Sequence, residues 1–162
     1  MLLTSNGKTM NKSIQYRNAE NGDISLIIDL LDRNSLPTSD IGNGNIEFIV
    51  AAIEEKIIGC VGLERFGYEA LLRSFAVDKN FRNNKIGSNL LERLFLLSEQ
   101  RNIKTLHLLT TAAEKYFFSK GFSISSREGA PPSIKSTLEF TSLCPASSAY
   151  MVRIKNSLSE TF

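Results

Sequence analysis

Apolar positions along this chain change from a period of two to a period near 3.6 and back, and the changes mark out its elements. Residues 14–17 alternate as a short half-buried strand would. Asn21 or Asp23 then caps a helix whose apolar positions Ile24, Ile27, Ile28, Leu30 and Leu31 share one face. That helix stops near Asn34, and Leu36-Pro37 enforces the exit. Residues 38–45, rich in Gly, Asn and Asp, read as a loop or one helical turn. Apolar runs at 46–53 and 57–63 flank Glu54-Glu55-Lys56, the pattern of an antiparallel hairpin. A turn around Gly67 leads to a third long strand, 70–77.

The next pattern is helical. From about Lys85 to Arg101 the apolar residues are Ile86, Leu90, Leu91, Leu94, Phe95 and Leu97, a spacing that buries one face against a sheet. Residues 104–109 form another strand. Thr110 or Thr111 can cap a helix running to Ser119, which Gly121 ends. A further strand begins at 122–125. Residues 127–148 are polar, carry Pro131-Pro132 and Pro145, and are expected to wrap over the surface; 149–154 is a last strand. Strands alternating with helices in this order predict an α/β domain over 13–155, with helices on both faces of a mixed, mostly antiparallel sheet. A loose segment at 1–12 and a polar tail at 156–162 flank it.

Between the third long strand and the long helix lies Asp78-Lys79-Asn80-Phe81-Arg82-Asn83-Asn84-Lys85-Ile86-Gly87. A helix N-terminus leaves backbone N–H groups unpaired and carries partial positive charge, so it favours anions. Arg82 and Lys85 add full charges, and Gly87 lets a ligand approach the backbone closely. A phosphate site is the functional reading; an ordinary turn and helix is the other.

Composition narrows the classes. The chain has 162 residues, is 42% hydrophobic and carries a formal charge of +2. That suits one domain with a core, and the small charge, without a basic stripe interleaved with aromatics, argues against nucleic acid. No apolar run reaches a membrane span. The opening Met1-Leu2-Leu3-Thr4-Ser5 lacks a signal-peptide pattern, so the expectation is a cytoplasmic protein with reduced thiols. Cys60 and Cys144 have no metal or redox spacing, and no metal is expected. Cys60 reads as a small core residue. His107, the single histidine, lies in a predicted strand and reads as structural more readily than as a catalytic base.

The stretch from Leu71-Leu72-Arg73-Ser74-Phe75-Ala76-Val77 through the basic loop to Tyr116-Phe117-Phe118-Ser119-Lys120-Gly121-Phe122 resembles the acyl-CoA-binding core of the GCN5-related N-acetyltransferases, the GNAT superfamily. The loop pattern of that family, Arg/Gln-x-x-Gly-x-Gly/Ala, is met by Arg82 and Gly87, with Lys85 where a first glycine usually stands. The resemblance covers nearly all of 13–154. It implies that strands 70–77 and 104–109 run parallel and splay apart around the pantetheine arm of acetyl-CoA. Phe75, Ala76 and Val77 would hold that arm as an added strand, with Thr111 and Phe117 beside it. Amides of Arg82, Asn83, Asn84, Lys85, Ile86, Gly87 and Ser88 would hold the pyrophosphate.

Acetyl transfer to an amine also needs a proton acceptor and a donor for the leaving thiolate. In the family a tyrosine four residues before the glycine of a Gly-Phe pair often serves as the acid. Here that position is Phe117, and Tyr116 lies one place earlier, turned by about 100° along a helix. Glu69, at the start of the central strand, is a candidate base acting through water, or a solvated turn carboxylate. Arg73 is costly to bury unpaired; it could clamp an acceptor carboxylate with Ser74 beside it, or form a salt bridge to Glu64 or Glu69. The loop holding Glu128, Pro131, Ser133, Thr137, Glu139 and Phe140 could close over the acceptor or pack on the surface only.

Leu71–Val77, Leu108-Leu109-Thr110-Thr111-Ala112-Ala113-Glu114 and Leu143-Cys144-Pro145-Ala146-Ser147-Ser148-Ala149 are similar to a GNAT branch known as arsenic-resistance N-acetyltransferases. The Arg-Ser strand also resembles the acetyltransferase domain of N-acetylglutamate synthase. Both resemblances imply a small acceptor with an α-amino group and a carboxylate, an arsenic-containing amino acid among the options. Frequent homodimers in the family make a second copy a candidate partner. The rivals are a polyamine or protein N-terminal acetyltransferase, and a non-catalytic CoA-binding or sensor module.

Overall fold

The computed structural model describes residues 13–42 and 45–155, so the segment 1–12 and the tail 156–162 lie outside the described residues. Seven strands form one sheet, β1 (Gln15–Asn18), β2 (Ile46–Ile53), β3 (Lys56–Phe66), β4 (Glu69–Val77), β5 (Thr105–Thr110), β6 (Ser123–Ile124) and β7 (Ala149–Ile154), in the spatial order β1-β2-β3-β4-β5-β7-β6. Every neighbouring pair is antiparallel except β4 and β5. The helices are α1 (Ile24–Arg33), α2 (Ile86–Gln100), α3 (Glu114–Ser119) and the single turn α4 (Pro132–Lys135). This is the expected mixed sheet with a parallel central pair.

The two faces are covered by different elements. On one, Ile86, Leu90, Leu91, Leu94 and Leu97 of α2 pack with Phe117 and Phe122 against Val61, Leu63, Ala70, Leu72 and Leu108. On the other, Ile27, Leu30 and Leu31 of α1 pack on Phe48, Val50, Ala52, Cys60 and Ala76. Leu90 and Leu94 are wholly buried, so truncating either to alanine costs about 2–5 kcal/mol. The helical period read from the sequence is the one these faces require.

Three boundaries differ from the pattern-based expectation. β3 runs to Phe66, because Glu64 and Phe66 continue the ladder to β4 beyond the apolar run. β6 has only two residues, since Ser125 already bonds to Tyr150 outside the strand. The segment 127–148 does more than wrap the surface. Its turn at Arg127–Gly129, α4 and a π-helical stretch Glu139–Leu143 carry Ala130, Ile134 and Phe140 onto Leu71 and Tyr150, a third apolar cluster.

Candidate active site

The parallel pair β4–β5 holds for three residues, ending with Leu71 opposite His107. Past that point β5 turns wholly to β7, which it follows to Thr110. From Leu72 onward the β5-facing edge of β4 therefore has no ladder partner among the described strands. The strands part, and a cavity of about 710 Å³ opens between them, lined by Leu72 to Phe75, Leu108 to Thr111, Ala113, Tyr116, Phe117, Glu139, Cys144 and Ser148. A second cavity of about 540 Å³ continues toward Ala76, Val77, Arg82 and Asn34, sharing Leu36, Phe75, Ala113 and Tyr116 with the first. Together they form one slot from the start of α2 to the segment before β7.

A bulge shapes the slot wall. Cys60 pairs with Ala76 and Gly62 with Arg73, so Val61 faces two residues, Ser74 and Phe75. Ser74 takes a left-handed φ of 54°, which costs a non-glycine residue roughly 1–2 kcal/mol. The extra residue switches the alternation of β4. Ala70 and Leu72 face α2 before it, and Phe75 and Val77 face the same core after it. The Cys60 thiol donates to the Ser74 carbonyl at 3.3 Å. Burial pushes that thiol up to about 12, so Cys60 stays a neutral structural donor.

At the other end, α2 starts on Lys85, itself left-handed at φ 62°, with no side chain capping the first turn. That conformation explains a glycine at this place, and Lys85 bears the strain in exchange for a charge. Asn83 is also left-handed at φ 69°. Asn84 Nδ2 donates to the carbonyls of Phe81 and Arg82, which fixes the loop. Arg82 spans the slot mouth, donating to the Val77 carbonyl at 3.2 Å and to Asn34 Oδ1 at 2.6 Å. Lys120, which the sequence reading passed over, donates from Nζ to Ser88 Oγ at 3.1 Å and adds a third cation to the start of α2. Its place follows from α3 ending beside α2, which no local pattern announces.

Aromatic side chains line the middle. Phe117 is buried, its ring 6.0 Å from Phe75 and 5.6 Å from Phe122. Tyr116 instead stands on the slot wall, and its hydroxyl lies 3.5 Å from where a Cβ on Gly87 would be. Thr111 lines the same cavity, and Thr110 Oγ1 accepts from the Ala113 amide at 3.0 Å in the turn before α3; the helix itself starts later than expected, on Ala113, with no side-chain cap from Thr110 or Thr111.

Arg73 reaches the cavity, but its donors are committed. Nη1 donates to Asp40 Oδ2 at 2.6 Å and Glu64 Oε1 at 3.1 Å, Nη2 to Asp40 Oδ1 at 2.6 Å, and Nε to Ser74 Oγ at 3.2 Å; Glu139 Oε2 lies 3.4 Å from Nη2. Of the five N–H groups of a guanidinium, four are hydrogen-bonded within the protein and Glu139 stands against the fifth as an ion pair, so Arg73 is not the free clamp on a substrate carboxylate that the sequence suggested. Of the two salt bridges open to it, the one to Glu64 forms. Burial works against the Arg73 charge, but Asp40 and Glu139 outweigh it and raise its pKa further. Burial also pushes the Glu64 carboxyl up, more than Arg73 draws it down. Three carboxylates thus share one guanidinium, and the face toward the cavity belongs to Glu139.

Glu69 is not brought to the slot. Its Oε1 accepts from His107 Nε2–H at 2.6 Å, and His107 Nδ1 accepts from the Tyr150 hydroxyl at 2.7 Å. Six residues of extended strand, about 20 Å, separate Glu69 from Phe75. The base role expected of Glu69 would have to be exercised from that distance, through water, by a carboxylate already engaged with His107. His107 is buried with both ring nitrogens engaged, and burial then the Glu69 charge push the Tyr150 hydroxyl up to about 12.

The comparisons with known proteins agree with this geometry. Residues 44–124, half of the chain, match the acetyltransferase (GNAT) domain family. The amino-acid acetyltransferase of Pseudomonas fluorescens strain Pf-5 is 34% identical over 87 residues, which cover 52% of this chain and 20% of that protein. The chain thus spans about a fifth of the length of the curated relatives it matches. N-acetylglutamate synthase from Neisseria gonorrhoeae, solved with coenzyme A and L-arginine, superposes with a TM-score of 0.73 at 20% identity, over 89% of this chain and 34% of that one. A Mycobacterium tuberculosis protein solved with CoA gives a TM-score of 0.73 at 19% identity, over 88% of this chain and 99% of that one. Among the described residues no helix is long and apolar enough to cross a membrane. By the family match and the slot between β4 and β5, the chain belongs to the GNAT family of acetyltransferase domains.

Proposed function

We propose that this chain is an acetyl-CoA-dependent N-acetyltransferase for a small amino-acid-like amine. The observation that carries the reading is the parted β4–β5 pair, whose unpaired edge opens into the slot beside an uncapped, cation-flanked start of α2. An amide-bearing arm could complete the edge of β4 at Phe75 to Val77 as a strand does. Amides from Arg82 to Ser88, with Lys85 and Lys120, suit a pyrophosphate. These donors fit acetyl-CoA, which supplies an acetyl group as a thioester.

The roles of the side chains follow from position. A backbone N–H at the bulge points charge stabilisation at the carbonyl oxygen. Tyr116, on the slot wall, is the group proposed to hand its proton to the departing thiolate. Phe117 and Phe75 keep the reacting end dry. Arg73 and Ser74 set the charge and curvature of the acceptor end without clamping the acceptor directly. The amino-acid preference is supported by what the curated relatives are named for. An arsenic-containing amino acid remains one member of that class.

A second reading has one observation in its favour. The excess of carboxylates around Arg73 suits a polyamine, which carries no carboxylate of its own. Mass-spectrometric detection of acetylated product separates the two, using acetyl-CoA with amino acids, polyamines and arsenic- or phosphorus-containing glutamate analogues. Product confined to amino-acid-like amines supports the first reading, and product confined to polyamines the second. CoA binding with no product from any amine would leave a CoA-binding module.

A further inference from the structure

We propose that Ser148 and Glu139 form the acceptor-amine subsite at the far end of the slot, Glu139 as counter-charge and Ser148 as the neutral hydrogen-bonding group. The inference rests on acetyl transfer as proposed above and names the residues that hold its acceptor. Ser148 is 5% exposed, lines the 710 Å³ cavity, and its Oγ finds no hydrogen-bond partner among the described residues. A buried hydroxyl left so is costly, and in a native fold such a group at a cavity wall is met by water or by a ligand that displaces it.

The surroundings hold the backbone that carries this hydroxyl. The Ser148 amide donates to the Pro145 carbonyl at 3.0 Å, and its carbonyl accepts from Arg127 Nη1 at 3.1 Å. β7 begins at the next residue and is paired along its length with β5. The Ser148 backbone is therefore fixed before any acceptor arrives, which limits the entropy lost on binding.

Glu139 completes the pair. It sits in the π-helical stretch Glu139–Leu143, is buried, and lines the same cavity. Its Oε1 accepts from the Cys144 thiol at 3.2 Å and its Oε2 faces Arg73 at 3.4 Å. A carboxylate has about four lone-pair sites, so capacity remains for an ammonium. Asp40, Glu64 and Glu139 share the one guanidinium of Arg73, and Arg127 is tied to the Ser148 and Phe140 carbonyls, so Glu139 is the carboxylate this cavity offers an ammonium. Phosphate-binding cations sit at the opposite end, near Arg82 and Lys85. An amine entering here meets the slot from the side away from the pyrophosphate.

The test uses the full chain, acetyl-CoA and whichever amine of the panel is acetylated. Ser148→Ala should raise KM for the amine about tenfold, the worth of one hydrogen bond. KM for acetyl-CoA should stay within about twofold, and the thermal midpoint should hold or rise, because no protein hydrogen bond is lost. Glu139→Gln should likewise raise KM for the amine and leave CoA affinity in calorimetry unchanged. An unchanged amine KM in Ser148→Ala overturns the subsite and leaves the acetyltransferase reading intact. A fall in thermal midpoint with both KM values rising together overturns it too, since the hydroxyl would then be a structural partner. CoA binding by the wild-type chain without acetylation of any amine overturns the functional reading and the subsite with it.

Discussion

Arg73 and Asp40, 33 residues apart in sequence, face each other in two parallel hydrogen bonds of 2.6 Å, with the Arg73 side chain wholly buried. This pair ties the loop after α1 to the central strand at the point where the slot begins. It also decides what Arg73 does. A guanidinium held by Asp40, Glu64 and the Ser74 hydroxyl, with Glu139 at 3.4 Å, sets the local charge.

Arg73→Leu should therefore be foremost a stability variant. Removing the cation leaves Asp40, Glu64 and Glu139 buried against one another, a loss of about 3–5 kcal/mol. Urea denaturation at pH 7 measures it. An unchanged urea midpoint would mean that the cluster contributes nothing to folding.

Glu64 gives a pH signature of opposite sign to those of Asp23 and Asp78. Its carboxyl is raised by burial, so the folded chain holds that proton more tightly than the unfolded chain. The contribution to stability is complete below the ordinary carboxylate value and is lost as pH rises through the raised one. For Asp23 and Asp78, lowered by the hydrogen bonds of Arg17 and of the Asn80 amide respectively, stability is present above the ordinary value and lost as pH falls. Glu64→Gln should thus gain on wild type at pH 7 and lose that gain toward pH 4. Thermal midpoints measured across this range check it, and a constant gap would contradict it.

Lys85→Gly should separate strain from charge. Glycine adopts the left-handed φ of 62° freely, so about 1 kcal/mol of strain is released. That is a rise in melting temperature of roughly 2–4 °C for a chain of this size. CoA affinity should fall, with a shallower dependence on salt. Equal CoA affinity would remove Lys85 from the phosphate site.

Much of this is legible in the sequence itself. The α2 face from Ile86 to Leu97 and the parallel placement of strands at 70–77 and 104–109 follow from periodicity and from the resemblance to a known family. The Ser74 bulge is not, because a serine in a left-handed conformation has no glycine to advertise it. Asp40 is not, because ion pairs across 33 residues leave no local pattern. The packing of 127–148 is hidden for a different reason. Ala130, Ile134 and Phe140 are spread among prolines and polar residues with no single period, yet they meet on Leu71 and Tyr150. Glu69 read as a free strand-start carboxylate, and only the register of β4 with β5 reveals its partner His107.

Tyr116→Phe tests the proposed acid. Its side chain keeps the ring contact with Phe75, whose centroid lies 6.3 Å away, and loses only the hydroxyl. Positioned proton transfer contributes about a hundredfold or more in favourable cases. The expected result is a kcat at least about tenfold lower with KM for acetyl-CoA little changed. A kcat equal to wild type would mean that the thiolate departs unaided.

The most direct test of the whole account is an amide chemical-shift map of the chain titrated with CoA. Perturbations should gather on Phe75 to Val77, Arg82 to Ser88 and Thr110 to Ala113, the two walls of the slot and the start of α2. Shifts centred on another face of the sheet, or none at saturating CoA, would contradict the assignment of the parted β4–β5 pair as the acetyl-CoA site.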